Sequence, residues 1–238
     1  MENNNGSDYI FKAYVVNTAA YDAGERETSG AWLYFPPCAE DIIDLFEKIG
    51  LPTDATPDMY FMDDYVCNVE GLKPLLPMHA HIDDLAGVAQ NLHGLSPEDR
   101  ELLSVIQSSP FAFTTLEQFG EFAYNTEYFI LEPQTMDDAA LGWSYLKQQG
   151  LTEIPKGCEG AIKPEPFGRY VREQEKGVFT DKGYLVPSGD EWQHDPPAGK
   201  ADREERKPSV MEKLQENRQK CADAKEPGAH QHRQETDR

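Results

Sequence analysis

Asp63 and Asp64 stand side by side inside MYFMDDYVCNV, residues 59–69, and they are the first candidates for chemistry in this chain. Two carboxylates can serve as general acid and base when their surroundings push their pKa values apart. The run that carries them is rich in Tyr, Phe, Met and Val and is bounded by Pro57-Asp58 and Glu70-Gly71, which predicts a strand. Adjacent side chains on a strand point to opposite faces, so this spacing does not make one catalytic pair. Burying an ionised carboxylate costs on the order of several kcal/mol unless a cation meets it. The nearest basic residue in sequence is Lys73, so the pair should face water or a partner.

His79 and His81, followed by Asp83 and Asp84, form the other candidate constellation. Imidazoles and carboxylates two to four residues apart could share a metal ion. The cluster lacks a helical i, i+4 His pair and a thiolate, so loop histidines are the plainer reading. His230 and His232 lie in a polar terminal region and make a weaker pair. No G-x-x-x-x-G-K-[ST], G-x-S-x-G or G-x-G-x-x-G motif occurs, which removes phosphate-loop, nucleophile-elbow and dinucleotide readings. Cys38, Cys67, Cys158 and Cys221 are far apart with no C-x-x-C pair, which suggests a reducing compartment and no zinc site.

Charge carries more information than any motif. The 238 residues have a formal net charge of −21. From Met1 to Ala140 there are 25 acids and 5 bases, net −20; Leu141 to Pro187 has 6 acids and 7 bases, and Ser188 to Arg238 has 12 acids and 10 bases. Acidity on this scale works against binding nucleic acid or anionic membrane and favours a cationic partner through long-range attraction. The bland alternative is a surface that serves solubility. MENNNGSDYIFK has neither a basic nor an apolar leader segment, and no run approaches the roughly 20 apolar residues of a membrane span, so a cytoplasmic protein is expected.

These carboxylates must be positioned by an α+β chain of small units. Residues 10–77 should form an N-terminal unit with strands at Ile10–Asn17, Trp32–Phe35 and Met59–Val69 and a helix at Glu40–Ile49, in the order β-β-α-β. That helix puts Ile42, Ile43, Leu45, Phe46 and Ile49 on one face and Glu40, Asp41, Asp44 and Glu47 on the other, while residues 19–31 read as a loop exposing Asp22, Glu25 and Glu27. Residues 78–126 should be a bundle of short helices: Ile82–His93, one capped by Ser96 and opened by Pro97, and one capped by Thr114 or Thr115. Their exposed acids are Asp83, Asp84, Glu98, Asp99, Glu101, Glu117 and Glu121, with Glu70 just before. Residues 127–187 should form a C-terminal α+β unit. It has a strand near Tyr128–Leu131, a largely apolar helix capped by Thr135, a short helix at Phe167–Val171 and a hairpin with its turn at Thr180–Gly183. Residues 188–238 read as a disordered tail with a short helix near 210–221, opened by the capping box of Ser209 and Glu212.

Tyr14-Val15-Val16-Asn17, then Tyr21, Gly24, Gly30, Trp32 and Phe35-Pro36, followed by Ile49-Gly50-Leu51 and Tyr60-Phe61-x-Asp63-Asp64-Tyr65, resemble the ArdA antirestriction proteins of Gram-positive mobile elements. The likeness continues through Ile82-Asp83-Asp84-Leu85, the Leu-rich helices to Phe122, Asp137-Asp138, Phe167-Gly168-Arg169 and the hairpin near Phe179, and so covers about residues 10 to 187. The resemblance implies an elongated homodimer of small domains whose carboxylates imitate DNA phosphates and which inhibits type I restriction-modification enzymes. It implies no catalysis and no cofactor. The Tyr21–Trp32 loop is about two residues longer than that family's, and the tail is outside the likeness.

The sequence reading is therefore a DNA mimic occupying the DNA groove of a type I enzyme's methyltransferase core. The contact acids expected are Asp22, Glu25, Glu27, Glu40, Asp41, Asp44, Glu47, Asp63, Asp64, Glu70, Asp83, Asp84, Glu98, Asp99, Glu101, Glu117 and Glu121. The near-neutral segment supplies the expected dimer contact, at Leu141, Trp143, Tyr145, Phe179 and Tyr184, because two strongly acidic surfaces repel. Two other classes remain open: an acidic module that binds a different DNA-binding protein, and an enzyme using the His79, His81, Asp83 and Asp84 cluster.

Overall fold

The computed structural model describes residues 9–25, 29–151 and 160–196. Glu27 and the helix expected near 210–221 lie outside the described residues, as do Cys158 and Cys221. Within them the chain is α+β, with two small antiparallel sheets and seven α-helices.

The first sheet is ordered β2-β1-β3, with β1 (Phe11–Asn17) between β2 (Gly30–Phe35) and β3 (Tyr60–Cys67). Alternation gives it one apolar face: Phe11, Ala13 and Val15, Ala31, Leu33 and Phe35, and Tyr60, Met62 and Tyr65 are all buried. Residues 19–31 are not wholly a loop. Thr18–Asp22 form α1, whose first turn is closed by the Asn17 side chain accepting from the Ala20 N–H at 3.2 Å. The same buried Asn17 donates to the Ile49 carbonyl at 2.9 Å. The signal was present in the sequence as Asn-Thr-Ala-Ala, a cap residue before good helix formers.

The helix α2 (Ala39–Lys48) presses Ile42, Leu45 and Phe46 onto the inner face of the sheet, with Phe46 and Tyr60 ring centroids 5.8 Å apart. Next come α3 (Ile82–His93), α4 (Pro97–Gln107) and α5 (Leu116–Glu121), with α4 capped by Ser96 and α5 by Thr115. One apolar cluster runs unbroken from Ile10 to Phe129, so the first sheet and the short helices share a core. Their joint is bonded as well as packed. The Tyr65 hydroxyl donates to the Pro77 carbonyl at 2.7 Å, and the Met62 N–H donates to the Met78 carbonyl at 2.8 Å.

The second sheet is ordered β4-β6-β5: β4 (Phe129–Glu132), β6 (Gly183–Pro187) and β5 (Val178–Thr180), with β5 and β6 joined as the expected hairpin. Central β6 divides its side chains. Leu185 enters the large core, while Tyr184 and Val186 join Leu141 and Val171 in a second cluster. Two helices cover that side, α6 (Asp138–Gln148) and α7 (Glu165–Glu175). Asp137, not Thr135, caps α6, accepting from the Ala140 N–H at 2.8 Å, and the Thr135 hydroxyl donates to Glu132 instead. The helix expected at Phe167–Val171 is longer in both directions.

The α6 and α7 backbones touch at two glycines. A Cβ on Gly142 would collide with the Pro164 carbonyl, and one on Gly168 with the Asp138 carbonyl. Arg172 locks the crossing by donating to both oxygens of Asp138, at 2.9 and 3.2 Å, and this guanidinium holds the Asp138 carboxyl below its ordinary range. Gly168→Ala should therefore destabilise the protein by about 1–3 kcal/mol or more through forced separation of the helices. Gly87→Ala, in α3 with open space around the added methyl, should stabilise it by about 0.5–1 kcal/mol. Urea denaturation of the two variants against wild type checks both signs.

Candidate functional site

Both Asp63 and Asp64 are exposed, although strand alternation predicts opposite faces. The reason is a β-bulge: Val15 pairs with Met62 and Tyr14 with Asp64, so Asp63 is an extra residue in β3 with no partner on β1. The bulge lets Met62 and Tyr65 both stay in the core while two carboxylates between them reach solvent. Lys73 pairs with Asp64 at 3.0 Å and, with the Tyr65 N–H, holds that carboxyl below its ordinary range.

The remaining sequence-predicted acids fall into two groups. Asp41 accepts from the Cys38 N–H at 2.8 Å, and Asp99 accepts from the Ser96 hydroxyl at 2.8 Å, so both belong to helix starts. Asp83 is half-buried in the first turn of α3, beside His81. Glu101 meets Lys182 at 3.4 Å, with both side chains more than half exposed. Apart from Glu121, the others within the described residues are open to solvent. Asp22, Glu25, Glu40, Asp44, Glu47, Asp63, Glu70, Asp84, Glu98 and Glu117 are exposed, and none forms an ion pair among the described residues. Glu70 lines a cleft of about 690 Å³ between the first sheet and α4 that Arg100 also lines.

Three of the few cations nearby are already engaged, and Lys48 at the end of α2 is exposed. Lys12 lies over the Trp32 ring at 4.6 Å, Arg100 donates to the His93 carbonyl at 2.6 Å, and Lys73 holds Asp64. Most of the acidic surface is therefore not neutralised from within. Sequence reasoning passed over Asp54 and Asp58, both exposed between α2 and β3, and Glu127, exposed before β4. Asp54 and Asp58 were recoverable: they sit in the proline-punctuated loop of residues 52–59 that has to face water.

The histidine cluster has other uses. His81 caps α3, its Nδ1 accepting from the Asp83 N–H at 3.2 Å, and His79 lies against the Phe61 ring. Among the described residues no group of three or more His, Cys, Asp or Glu is placed to hold a metal ion. Cys38 and Cys67 are free thiols, and burial pushes the Cys67 thiol up to about 11. Burial also pushes the Tyr60 phenol up to about 12 and raises that of Tyr65, which keeps both neutral in the core.

Glu121 is not an open contact acid. Its carboxylate accepts from the Trp192 indole N–H at 2.6 Å and meets His194 at 3.0 Å. Beside it the buried Asn125 amide donates to the Gln193 carbonyl and its oxygen accepts from the Gln193 N–H, at 2.8 and 2.7 Å. Trp192 stacks edge-on against Phe113 and Tyr128, 5.7 and 5.1 Å between centroids. Residues 188–196, read from sequence as the start of a disordered tail, are thus clasped onto α5. The expected dimer residues also divide: Leu141 and Tyr184 are buried in the protomer's own second cluster, whereas Trp143, Tyr145 and Phe179 are half-buried. Surface apolar area in this unit comes instead from Ile130, Met136, Phe167 and Tyr170.

Fold and surface together define an acidic α+β protein that displays carboxylates its own cations leave unpaired. The chain belongs to the ArdA family of antirestriction proteins, whose family model matches residues 13–186, from β1 into β6, the last strand of the second sheet. That family is one of antirestriction proteins, not a known family of enzymes. No curated protein matches the chain. Among the described residues no helix is long and apolar enough to cross a membrane. The clasp at 188–196 follows the matched region, and Glu121→Ala should loosen it. Protease cutting around residues 188–196 should rise several-fold and tryptophan fluorescence shift to the red, with the rest of the fold unchanged by circular dichroism.

Proposed function

We propose that this protein is a DNA mimic that binds the methyltransferase core of a type I restriction-modification enzyme in the groove that holds DNA. Family membership supports an antirestriction role, and the observation that carries the mechanism is the set of exposed, unpaired carboxylates on α2, α4, α5, the start of α3 and the β3 bulge. Duplex DNA presents one negative charge per roughly 1.7 Å of axis. Glu40, Asp44 and Glu47 recur along one side of α2 over about 10 Å, at 1.5 Å per residue. A protein that imitates phosphates needs no base sequence to be gripped, since phosphate contacts position and do not specify. Inhibition on this reading is competitive and stoichiometric, acts in the cytoplasm, and needs neither cofactor nor catalysis. The protein acts as a homodimer through its near-neutral segment 141–187, because surfaces carrying the charge of the first 140 residues repel.

Displacement of DNA from a purified type I methyltransferase core is the direct test. The protein should compete with DNA one to one, and its affinity should fall roughly tenfold or more between about 50 and 200 mM salt. Competition only with some other DNA-binding protein would reassign the partner, and salt-independent binding would sink the mimicry. Because the charge is shared, Glu40→Lys alone should weaken inhibition less than about threefold, as for an exposed contact. Reversing Glu40, Asp44, Glu47 and Asp63 together should weaken it about thirtyfold or more, at about 0.5 kcal/mol or more per charge. A loss of that size from one alanine substitution would indicate a discrete site instead.

A further inference from the structure

The outer face of the first sheet is aromatic where an antiparallel sheet facing water is ordinarily polar. Strand register puts Tyr34, Lys12 and Val66 in one row across it and Trp32, Tyr14 and Asp64 in the next. At the far end α1 closes the face, with Tyr21 packed edge-on against Phe61 at 5.4 Å. The two rows stay open: Trp32 is 37% exposed, Tyr34 46% and Val66 38%. Tyr9 extends the surface by packing edge-on against Tyr34 at 5.2 Å.

This surface is built. A Cβ at Gly30 would stand 2.6 Å from the Tyr14 ring, so only glycine lets that phenol lie across the end of β2. There its hydroxyl donates to the Gly30 carbonyl at 3.1 Å and its ring meets Trp32 edge-on at 5.3 Å. The faces of Trp32 and Tyr34 already take a cation: the Lys12 ammonium lies 4.6 Å from one centroid and 5.6 Å from the other. Asp63 and Asp64 stand along its β3 edge.

We propose that this aromatic platform is a second contact surface for the same cationic partner, docking arginine side chains of a DNA-gripping protein on the rings of Trp32 and Tyr34. The inference rests on the mimic reading for the partner's identity. Charge complementarity selects the occupant: a region of net −20 repels nucleic acid and attracts a basic protein surface, whose guanidinium groups stack on aromatic faces and pair with carboxylates at the rim. Large exposed apolar patches mark interaction sites, and Trp and Tyr are the residues that concentrate binding energy in them. Carboxylates supply the long-range, salt-sensitive attraction; the platform supplies a short-range share that persists in salt because it comes from desolvation.

The test uses the full chain, with Trp32→Ala/Tyr34→Ala in the same DNA-displacement assay over a series of salt concentrations. The double variant should bind at least tenfold more weakly at every salt, with the slope of log affinity against log salt unchanged. The fourfold acid reversal should flatten that slope. Trp32→Phe/Tyr34→Phe should recover most of the loss, and Tyr34→Ala alone, at the most exposed ring, should give a smaller loss of the same salt-independent kind. Wild-type protein that displaces DNA beside an equally effective double variant overturns the platform alone. A double variant that falls from dimer to monomer in sedimentation assigns the face to a second copy and overturns it too. Wild-type protein that displaces no DNA overturns the mimic reading and this partner with it.

Discussion

Repulsion between like charges is the constraint this fold has to satisfy, since its first 140 residues carry five times as many acids as bases. The backbone supplies part of the missing counter-charge. Each helix from α2 to α7 has an acid in its first turn: Glu40 and Asp41, Asp83 and Asp84, Glu98 and Asp99, Glu117, Asp138 and Glu165. Each of these positions lies near the positive end of a helix dipole, worth about 0.3–1 kcal/mol. Short helices are well suited to such a protein. They multiply the number of N-termini per residue, and so the number of places where a carboxylate is tolerated without a lysine or arginine to meet it.

The same constraint explains the apolar interior. With so little ion pairing to draw on, the chain is held by a continuous core from Ile10 to Phe129 and by phenols whose hydroxyls are bonded inside it. Tyr60 and Tyr65 bring aromatic bulk to β3 while their oxygens reach the start of α3 and the Pro77 carbonyl. The bulge between Met62 and Tyr65 keeps both inward-facing positions filled although two charged residues intervene. A regular strand of this sequence would have turned Asp63 or Tyr65 the wrong way.

Much of this was legible in the residues. Helical periodicity located α2 and α3 to within about a residue, and caps located the starts of α4 and α5, because Ser96-Pro97 and the threonine at 114 or 115 are local signals that tertiary contacts did not overrule. The resemblance drawn from scattered short motifs agreed with the family match over nearly the same span. What was missed depends on distance along the chain. Asn125 bonds Gln193 and Glu121 bonds Trp192, separations of 68 and 71 residues that no local pattern records. Leu141 and Tyr184 read as dimer-contact candidates because the near-neutral charge of their segment was the guide, and charge does not record that they pack with Val171 and Val186 inside the protomer. Asp63 and Asp64 were assigned opposite faces because a bulge has no signature in a single strand.

The clasp around Trp192 changes what counts as the minimal folding unit. A chain cut at the end of the family match would strip the Asn125 side chain of both its Gln193 bonds, leaving its donation to the Glu121 carbonyl, and take the indole away from the Phe113 and Tyr128 rings. Boundaries drawn by kinship and boundaries drawn by mechanics therefore differ here by about ten residues, and a truncated fragment ending at the former would be frayed where the intact chain is tied.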